Sequence, residues 1–158
     1  MSMDNYDNTR QTLLMRVRNQ QDQGSWAEFH KIYRPYIYAV ILKMGMHEAD
    51  CEDILQKVLL KLWEKLPDFE YDESKRFRSW LSTLTSHGVM NFIRSKRAYI
   101  QRLEKAQQQE SLAYLDAIRL PEIEEIAEDE WKLYISKMAM ENVTKYFSGK
   151  AMRVFKLS

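Results

Sequence analysis

The sequence predicts an all-α fold, and three observations support this prediction. Apolar residues recur at spacings of three and four over long stretches, which is the pattern of amphipathic helices. Glycine (4 residues) and proline (3 residues) are scarce, so a many-stranded sheet would lack the turns that it needs. The content of 45% hydrophobic and 30% charged residues is typical of a folded globular chain. We therefore expect a compact bundle of three to four helices, an acidic linker, and the first helices of a second helical domain.

The first two predicted helices are separated by the stretch "DQGS". A short helix is expected over residues 9–18. The second helix is expected over residues 26–44, with Ser25 as its N-cap and Glu28 completing a capping box. Pro35 lies inside this helix and should bend it, because proline removes one backbone hydrogen bond. Gly45 should end the helix.

A third helix is expected over residues 48–66, where an acidic first turn suits the positive end of the helix dipole. The face that we expect in the core consists of Ile54, Leu55, Val58, Leu62 and Leu66. A second stripe is polar at its start and apolar further on, and it consists of Asp53, Gln56, Leu59, Leu60 and Trp63. Because this is more apolar surface than a small bundle buries, the stripe is a candidate contact for a partner.

A fourth helix is expected over residues 76–97, after the loop "PDFEYDES". Gly88 in its middle costs roughly 1 kcal/mol relative to alanine, which suggests close packing against another helix. The inner side of the helix is marked by Phe77, Trp80, Leu81, Leu84, Gly88 and Phe92. An adjoining face, at spacings of three and four, consists of Thr83, His87, Met90, Asn91, Arg94 and Arg97.

Aromatic rings and cations share the stretch "DFEYDESKRFRSWL", residues 68–81. Residues 75–103 contain seven Lys or Arg and no Asp or Glu. Such a surface suits single-stranded nucleic acid, because cations neutralise phosphates and a stacked ring contributes roughly 1–3 kcal/mol per base. Spacing alone leaves a second interpretation open, in which the rings are core residues and the cations are a solvated rim. Solvated faces normally mix both signs, which favours the nucleic-acid interpretation for the cations.

The last third of the sequence begins with an acidic segment: residues 104–130 contain nine acids and two bases. We expect residues 99–122 to form an acidic linker, into which the preceding helix frays and which Pro121 breaks. A further helix should begin near Ile123 and end at Gly149. The chain stops inside the apolar-periodic stretch "KAMRVFKLS", which indicates a truncated chain or a natural loss, and we favour truncation.

Several classes of protein are excluded by what the sequence lacks. Its one cysteine, Cys51, cannot form an internal disulfide, and no signal peptide or membrane-spanning run is present, so we expect a cytoplasmic protein. The three histidines, His30, His47 and His87, lie on separate elements and show no metal-ligand spacing. No phosphate-binding glycine loop or nucleophile motif occurs. We predict that the protein is not an enzyme and needs no metal or cofactor.

The stretch "DILQKVLLKLWEKLPDFEYDESKRFRSWLSTLTSHGVMNFIRSKR" resembles region 2 of the sigma-70 family of bacterial transcription initiation factors. The combination "EADCEDILQ", "KLPDF", "RFRSWL" and "NFIR" is most similar to the extracytoplasmic-function (ECF) group. The resemblance covers residues 9–98, while the sequence "ENVTKYFSGKAMRVFKLS" resembles the opening helices of region 4, so that 123–158 would begin this second domain. The helix-turn-helix of region 4, which reads the −35 element, does not occur before Ser158.

The resemblance implies two binding surfaces. One would dock on the clamp-helices coiled coil of the polymerase β′ subunit, and it corresponds to Asp50, Asp53, Gln56, Leu59, Leu60 and Trp63. The other would bind the melted promoter −10 element, and it corresponds to Phe69, Tyr71, Lys75, Arg76, Arg78, Thr83, His87, Met90, Asn91, Arg94, Lys96 and Arg97. Its first part would capture a flipped base, which must offset a few kcal/mol of unstacking.

The sequence departs from the family at two places. Asn91 stands where the ECF pattern usually has Asp, and Thr83 and Leu84 stand where housekeeping relatives carry a tryptophan pair. The resemblance implies core RNA polymerase, promoter DNA and an anti-sigma factor as partners. The alternative function is a helical interaction module that binds RNA or an acidic protein through the same basic face.

Overall fold

The computed structural model describes residues 12–69, 77–119 and 122–146. These parts of the chain form helices and no strand, so the predicted all-α class is confirmed. The helices, labelled in chain order, are α1 (12–17), α2 (Gln23–Lys43), α3 (Glu48–Lys65), α4 (Phe77–Ile100), α5 (Lys105–Asp116) and α6 (Ile123–Tyr146), with a short 3-10 turn at Leu66–Asp68. None of the helices in these ranges is long and apolar enough to cross a membrane.

The start of α2 corrects the predicted capping box. Asp22 is the N-cap: its Oδ1 accepts a hydrogen bond from the backbone N–H of Ser25 at 3.0 Å, and this bond lowers the pKa of the carboxyl. Ser25 is buried in the first turn, and its hydroxyl donates to the Asp22 carbonyl at 2.8 Å. The helix therefore begins earlier than predicted, because aspartate caps it before the serine is reached.

The end of α2 agrees with the sequence. The helix is continuous through Pro35 and closes at Met44, and Gly45 follows with a φ of 100°. This left-handed conformation is strained for residues with a Cβ atom, so glycine suits the turn into α3.

Three helices, α2, α3 and α4, form the centre of the core. The ring of Phe77 on α4 lies edge-on to Phe29 and Tyr33 on α2, with centroid distances of 6.0 and 5.2 Å. The predicted core face of α3 is confirmed, because all of its members are buried: Ile54, Leu55, Val58, Leu62 and Leu66.

Gly88 marks the point of closest approach between α3 and α4. A Cβ atom built on Gly88 would lie 2.8 Å from Cγ2 of Val58, a separation that real Cβ atoms essentially never show. The close packing that the sequence suggested is therefore present, and glycine is required for lack of space rather than for its backbone freedom.

We expect the substitution Gly88→Leu to lower the free energy of unfolding by roughly 1–3 kcal/mol or more, because the new side chain must push the two helices apart. Leucine is a good helix former, so loss of helix propensity would not account for the effect. Urea denaturation followed by circular dichroism measures it. Met90→Leu on the exposed side of α4 is the control, and Val58→Ala should restore part of the stability of Gly88→Leu. Equal stability of Gly88→Leu and Met90→Leu would contradict this packing.

An additional helix, α5, lies inside the segment that we expected to be a fraying linker. Helix α4 continues to Ile100 instead of fraying at Arg97, and α5 packs against it with Leu115 buried. After α5, Ile118 is buried, and the backbone N–H of Arg119 donates to the Met44 carbonyl at 2.9 Å. The acidic segment is thus folded onto the bundle.

Helix α6 begins at Ile123, as the sequence predicts, and packs across α2 and α4. Its Trp131, 3% exposed, stacks on Tyr33 and lies edge-on to Tyr36, with centroid distances of 6.0 and 5.1 Å. Two hydroxyls fasten the contact: Tyr36 donates to the Ala127 carbonyl at 2.9 Å, and Tyr134 donates to the Ile32 carbonyl. Burial raises the pKa of Tyr36, which keeps this donor protonated. The domain boundaries at 98 and 122 stay predictions, although α6 shares one core with α2 and α4.

Candidate nucleic-acid and protein interface

One side of α4 is open to solvent, and we call it the α4 face. Helical spacing aligns six of its residues over about four turns of the helix, and the seventh, Lys96, projects from another side near the end of the helix. All of its members are exposed: Thr83, His87, Met90, Asn91, Arg94, Lys96 and Arg97. Within the described residues, Arg94 makes no ion pair, so its guanidinium remains available to a phosphate.

Tyr99 lies beside Lys96 and lines the same groove as Asn91 and Arg94, although the sequence did not single it out. It is 55% exposed, and the ammonium of Lys96 lies 5.7 Å from the centroid of its ring. The same ammonium lies 5.7 Å from the ring of Phe92. The i, i+3 spacing of Lys96 and Tyr99 could have revealed this pair. An exposed ring beside a cation is the combination that unpaired bases require.

The exposed side of α3 presents a second surface, which we call the α3 stripe. Its polar end holds Asp53, which pairs with Lys57 at 3.1 Å, and the exposed amide of Gln56. Its apolar end holds Leu60, 58% exposed, and Trp63, 40% exposed. The predicted member Leu59 is only 7% exposed, so we correct it to a core residue: it faces inward with Leu55 and Leu62.

A groove of about 880 Å³ joins the two surfaces. Its α3 wall includes Asp53 and Leu60, and its α4 wall includes Met90, Asn91 and Arg94. Both walls are helices that pack closely at Gly88, so the spacing between the two surfaces is set by helix packing rather than by loops.

The structure corrects the prediction for Phe69. Its side chain is 8% exposed and packs on Trp80 and Phe77, with ring centroids at 4.6 and 5.6 Å. A buried ring cannot stack on a base without leaving this cluster, so Phe69 is a core residue in this structure. The predicted contacts Tyr71, Lys75 and Arg76 lie outside the described residues.

Two of the predicted DNA-contacting arginines are held by acidic side chains of the same chain. Arg78 pairs with Glu128 of α6 at 3.2 Å, and its guanidinium lies 5.0 Å from the centroid of the Trp131 ring. Its side chain is 22% exposed. Arg97 pairs with Asp116 of α5 at 2.7 Å. The basic and acidic segments of the sequence therefore meet in space.

Asp50, a predicted polymerase contact, is half-buried at the start of α3. The hydroxyl of Tyr114 donates to its Oδ2 at 3.0 Å and accepts the backbone N–H of His47 at 2.8 Å. Burial raises the pKa of Tyr114 to about 12, and the hydrogen bond to Asp50 adds to this effect. Asp50 thus links α5 to α3, and its half-buried side chain is only partly accessible to a partner.

Cys51 is fully buried beside this contact. Burial raises the pKa of its thiol to about 11, and the nearby Asp50 and Glu48 raise it further. The thiol therefore stays protonated at neutral pH and is a poor nucleophile. Among the residues that the structure describes, no group of three or more His, Cys, Asp or Glu side chains could hold a metal ion.

Comparison with known families agrees with this arrangement. Residues 29–99 match the family model of sigma-70 region 2, and they include most of α2, all of α3 and nearly all of α4. No curated protein and no solved structure matches the chain. The match covers 71 of the 158 residues; it assigns residues 29–99 to sigma-70 region 2 and supports the resemblance found in the sequence. The match supports a sigma factor role in transcription initiation, and region 2 implies binding to core RNA polymerase and promoter DNA.

Proposed function

We propose that the chain is an ECF-type sigma factor that holds the melted −10 element on its α4 face while its α3 stripe binds the clamp helices of the β′ subunit. The observation that carries the proposal is the adjacency of the two surfaces, which line one groove between helices packed at Gly88. One rigid body can then hold polymerase and the opened strand at a fixed separation.

The chemistry of the α4 face fits a single strand better than a duplex. Arg94 and Lys96 supply charge for phosphates, and Met90 and Tyr99 supply apolar and aromatic surface for unpaired bases. The amide of Asn91 can donate and accept hydrogen bonds at a base edge. On the basis of the sequence resemblance alone, we include three further predicted contacts in the proposed strand-binding site: Tyr71, Lys75 and Arg76.

Binding of a fluorescent non-template −10 strand tests the proposal. We expect Arg94→Ala to weaken binding roughly fivefold and to reduce the slope of log K against log [salt] by about 0.7, the value for one lost phosphate contact on a single strand. Lys132→Ala removes the same charge from an exposed position on α6 and is the matched control. If Arg94→Ala binds the strand as tightly as Lys132→Ala, the α4 face does not hold promoter DNA.

The alternative function, a module for RNA or an acidic protein, predicts a different pattern. An RNA-binding module should prefer the RNA strand of equal sequence, whereas the proposed sigma factor should prefer DNA with a −10 motif over a scrambled strand. Binding to core polymerase separates the two further, since only a sigma factor requires the α3 stripe.

We also propose that the protein acts in the cytoplasm and that an anti-sigma factor covers Leu60 and Trp63 when transcription is not needed. The exposure of these two large apolar side chains supports a helix-in-groove partner. Purification from its own cells without a second protein would count against this partner.

A further inference from the structure

The acidic half of the sequence lies on the binding helices instead of extending away from them. Residues 104–130 contain nine acids, and two of these acids reach arginines of the predicted promoter surface. A third acid, Glu130, lies 3.9 Å from Lys43 on α2. The three acids lie on α5 and α6, which pack on the bundle, so the helices hold these acids beside their basic partners.

At Arg97, the contact is a direct ion pair on the surface. Its Nη2 lies 2.7 Å from Oδ1 of Asp116, and the side chains are 46% and 65% exposed. A phosphate approaching Arg97 therefore meets a guanidinium that already has a carboxylate partner. Because both groups remain hydrated, this pair weakens binding without blocking it.

At Arg78, two residues of α6 contact the guanidinium, so the contact covers more of the side chain than a single ion pair would. Glu128 accepts a hydrogen bond from Nε of Arg78 at 3.2 Å, and Trp131 lies below the guanidinium at 5.0 Å. With 22% of its side chain exposed, Arg78 offers little surface to a phosphate while α6 stays docked.

We propose that α5 and the first half of α6 act as an internal competitor of promoter DNA, with Asp116 and Glu128 occupying the arginines that the strand would bind. This inference rests on the proposed function. DNA binding then requires exchange of carboxylate for phosphate at both arginines, and anything that draws α5 and α6 away strengthens promoter binding. The acidic segment is thus a regulatory element built into the fold rather than a spacer.

Neutralising the two acids tests the inference. The double variant Asp116→Asn/Glu128→Gln is expected to bind the non-template −10 strand roughly three- to tenfold more tightly than the wild type, because two weak ion pairs no longer compete. The matched control is Glu110→Gln/Asp129→Asn, which removes the same two charges from exposed positions on the same two helices. Neither control acid makes an ion pair within the described residues, so it reports the general effect of lower negative charge.

A coupling measurement assigns the effect to the pair itself. In an Arg97→Ala background, Asp116→Asn should no longer improve binding, since its partner is absent. Two results together support the inference: Asp116→Asn/Glu128→Gln binds the strand more tightly than the control double variant, and Asp116→Asn gives no improvement when Arg97 is alanine. Equal binding by the two double variants, with normal binding by the wild type, overturns the inference and leaves the proposed function standing. Failure of the wild type and of both double variants to bind the strand overturns both.

Discussion

Replacement of Trp131 by alanine is expected to lower the free energy of unfolding by about 3–5 kcal/mol, the range for removal of a buried aromatic side chain. Trp131 is 3% exposed and contacts Tyr33, Tyr36 and Arg78. Its loss leaves a cavity between α6 and the bundle and removes the cation–π contact. Chemical denaturation, followed by circular dichroism, measures the change. A loss of this size is a large part of the total stability of a small domain.

Leu133→Ala is the control for this prediction, because Leu133 lies on the same helix and is 62% exposed. We expect it to change stability by less than about 0.5 kcal/mol. If Trp131→Ala were no more destabilising than Leu133→Ala, α6 would not be part of the core, and the internal competition at Arg78 would lose its basis.

Replacement of Trp63 by alanine is expected to weaken binding to core RNA polymerase by roughly 30-fold or more, because partly exposed tryptophans are frequent hot spots of protein interfaces. Trp63 ends the α3 stripe one turn beyond Leu60, and its ring is 40% exposed in the free protein. Asp53→Ala and Gln56→Ala, at the polar end, should weaken binding less, since they lose polar contacts near solvent. Fluorescence anisotropy with core polymerase measures all three.

Leu133→Ala is also the control for Trp63→Ala in the polymerase-binding measurement, since it removes an exposed apolar side chain from a helix outside the α3 stripe. A peptide of the β′ clamp helices should compete with polymerase for the wild type. Thermal melting of Trp63→Ala must first show a folded protein. If the folded variant bound polymerase with wild-type affinity, the α3 stripe would not be the polymerase contact.

Local sequence patterns were sufficient to predict the three central helices. The apolar residues from Ile54 to Leu66 repeat at the spacing of a helix, and Gly45 and Pro67 mark the two ends of that helix. Gly88 indicates close packing between helices. These features act within a few residues, so they can be recognised without knowing the tertiary structure. The capping error at Ser25 has the same local origin: two capping residues, Asp22 and Ser25, stand three positions apart, and only the structure shows which one begins the helix.

The side on which an aromatic or apolar residue lies was harder to predict. Phe69 belongs by sequence to a cation-rich loop, yet its ring packs on Trp80 and Phe77. Leu59 and Leu60 are adjacent and chemically identical, but the first is 7% and the second 58% exposed. Helical phase separates such neighbours only when the direction of the core is known, and that direction depends on elements far away in the chain.

The positions of α5 and α6 could not be predicted from sequence. Helix α5 has weak amphipathic patterning, because its contacts are few and specific: the Tyr114 hydroxyl, Leu115 and the Arg97–Asp116 pair. The acidity of residues 104–130 was interpreted as that of an acidic linker, whereas three of these acids pair with basic residues of α4 and α2. Charge segregation along the chain was therefore visible, but its meaning depended on contacts between residues about 20 to 100 positions apart.

The hydroxyls of Tyr36 on α2 and Tyr134 on α6 have a consequence for biosynthesis, because each donates to a carbonyl of the other helix, about a hundred residues away in the chain. At translation rates of about 5–20 residues per second, the nascent bundle waits several seconds for α6 to leave the ribosome. During that interval, Trp131 does not yet cover the rings of Tyr33 and Tyr36, and Glu128 is not yet available to pair with Arg78. From the internal competition that we propose, we expect the chain to bind nucleic acid more tightly during this interval than the finished protein does.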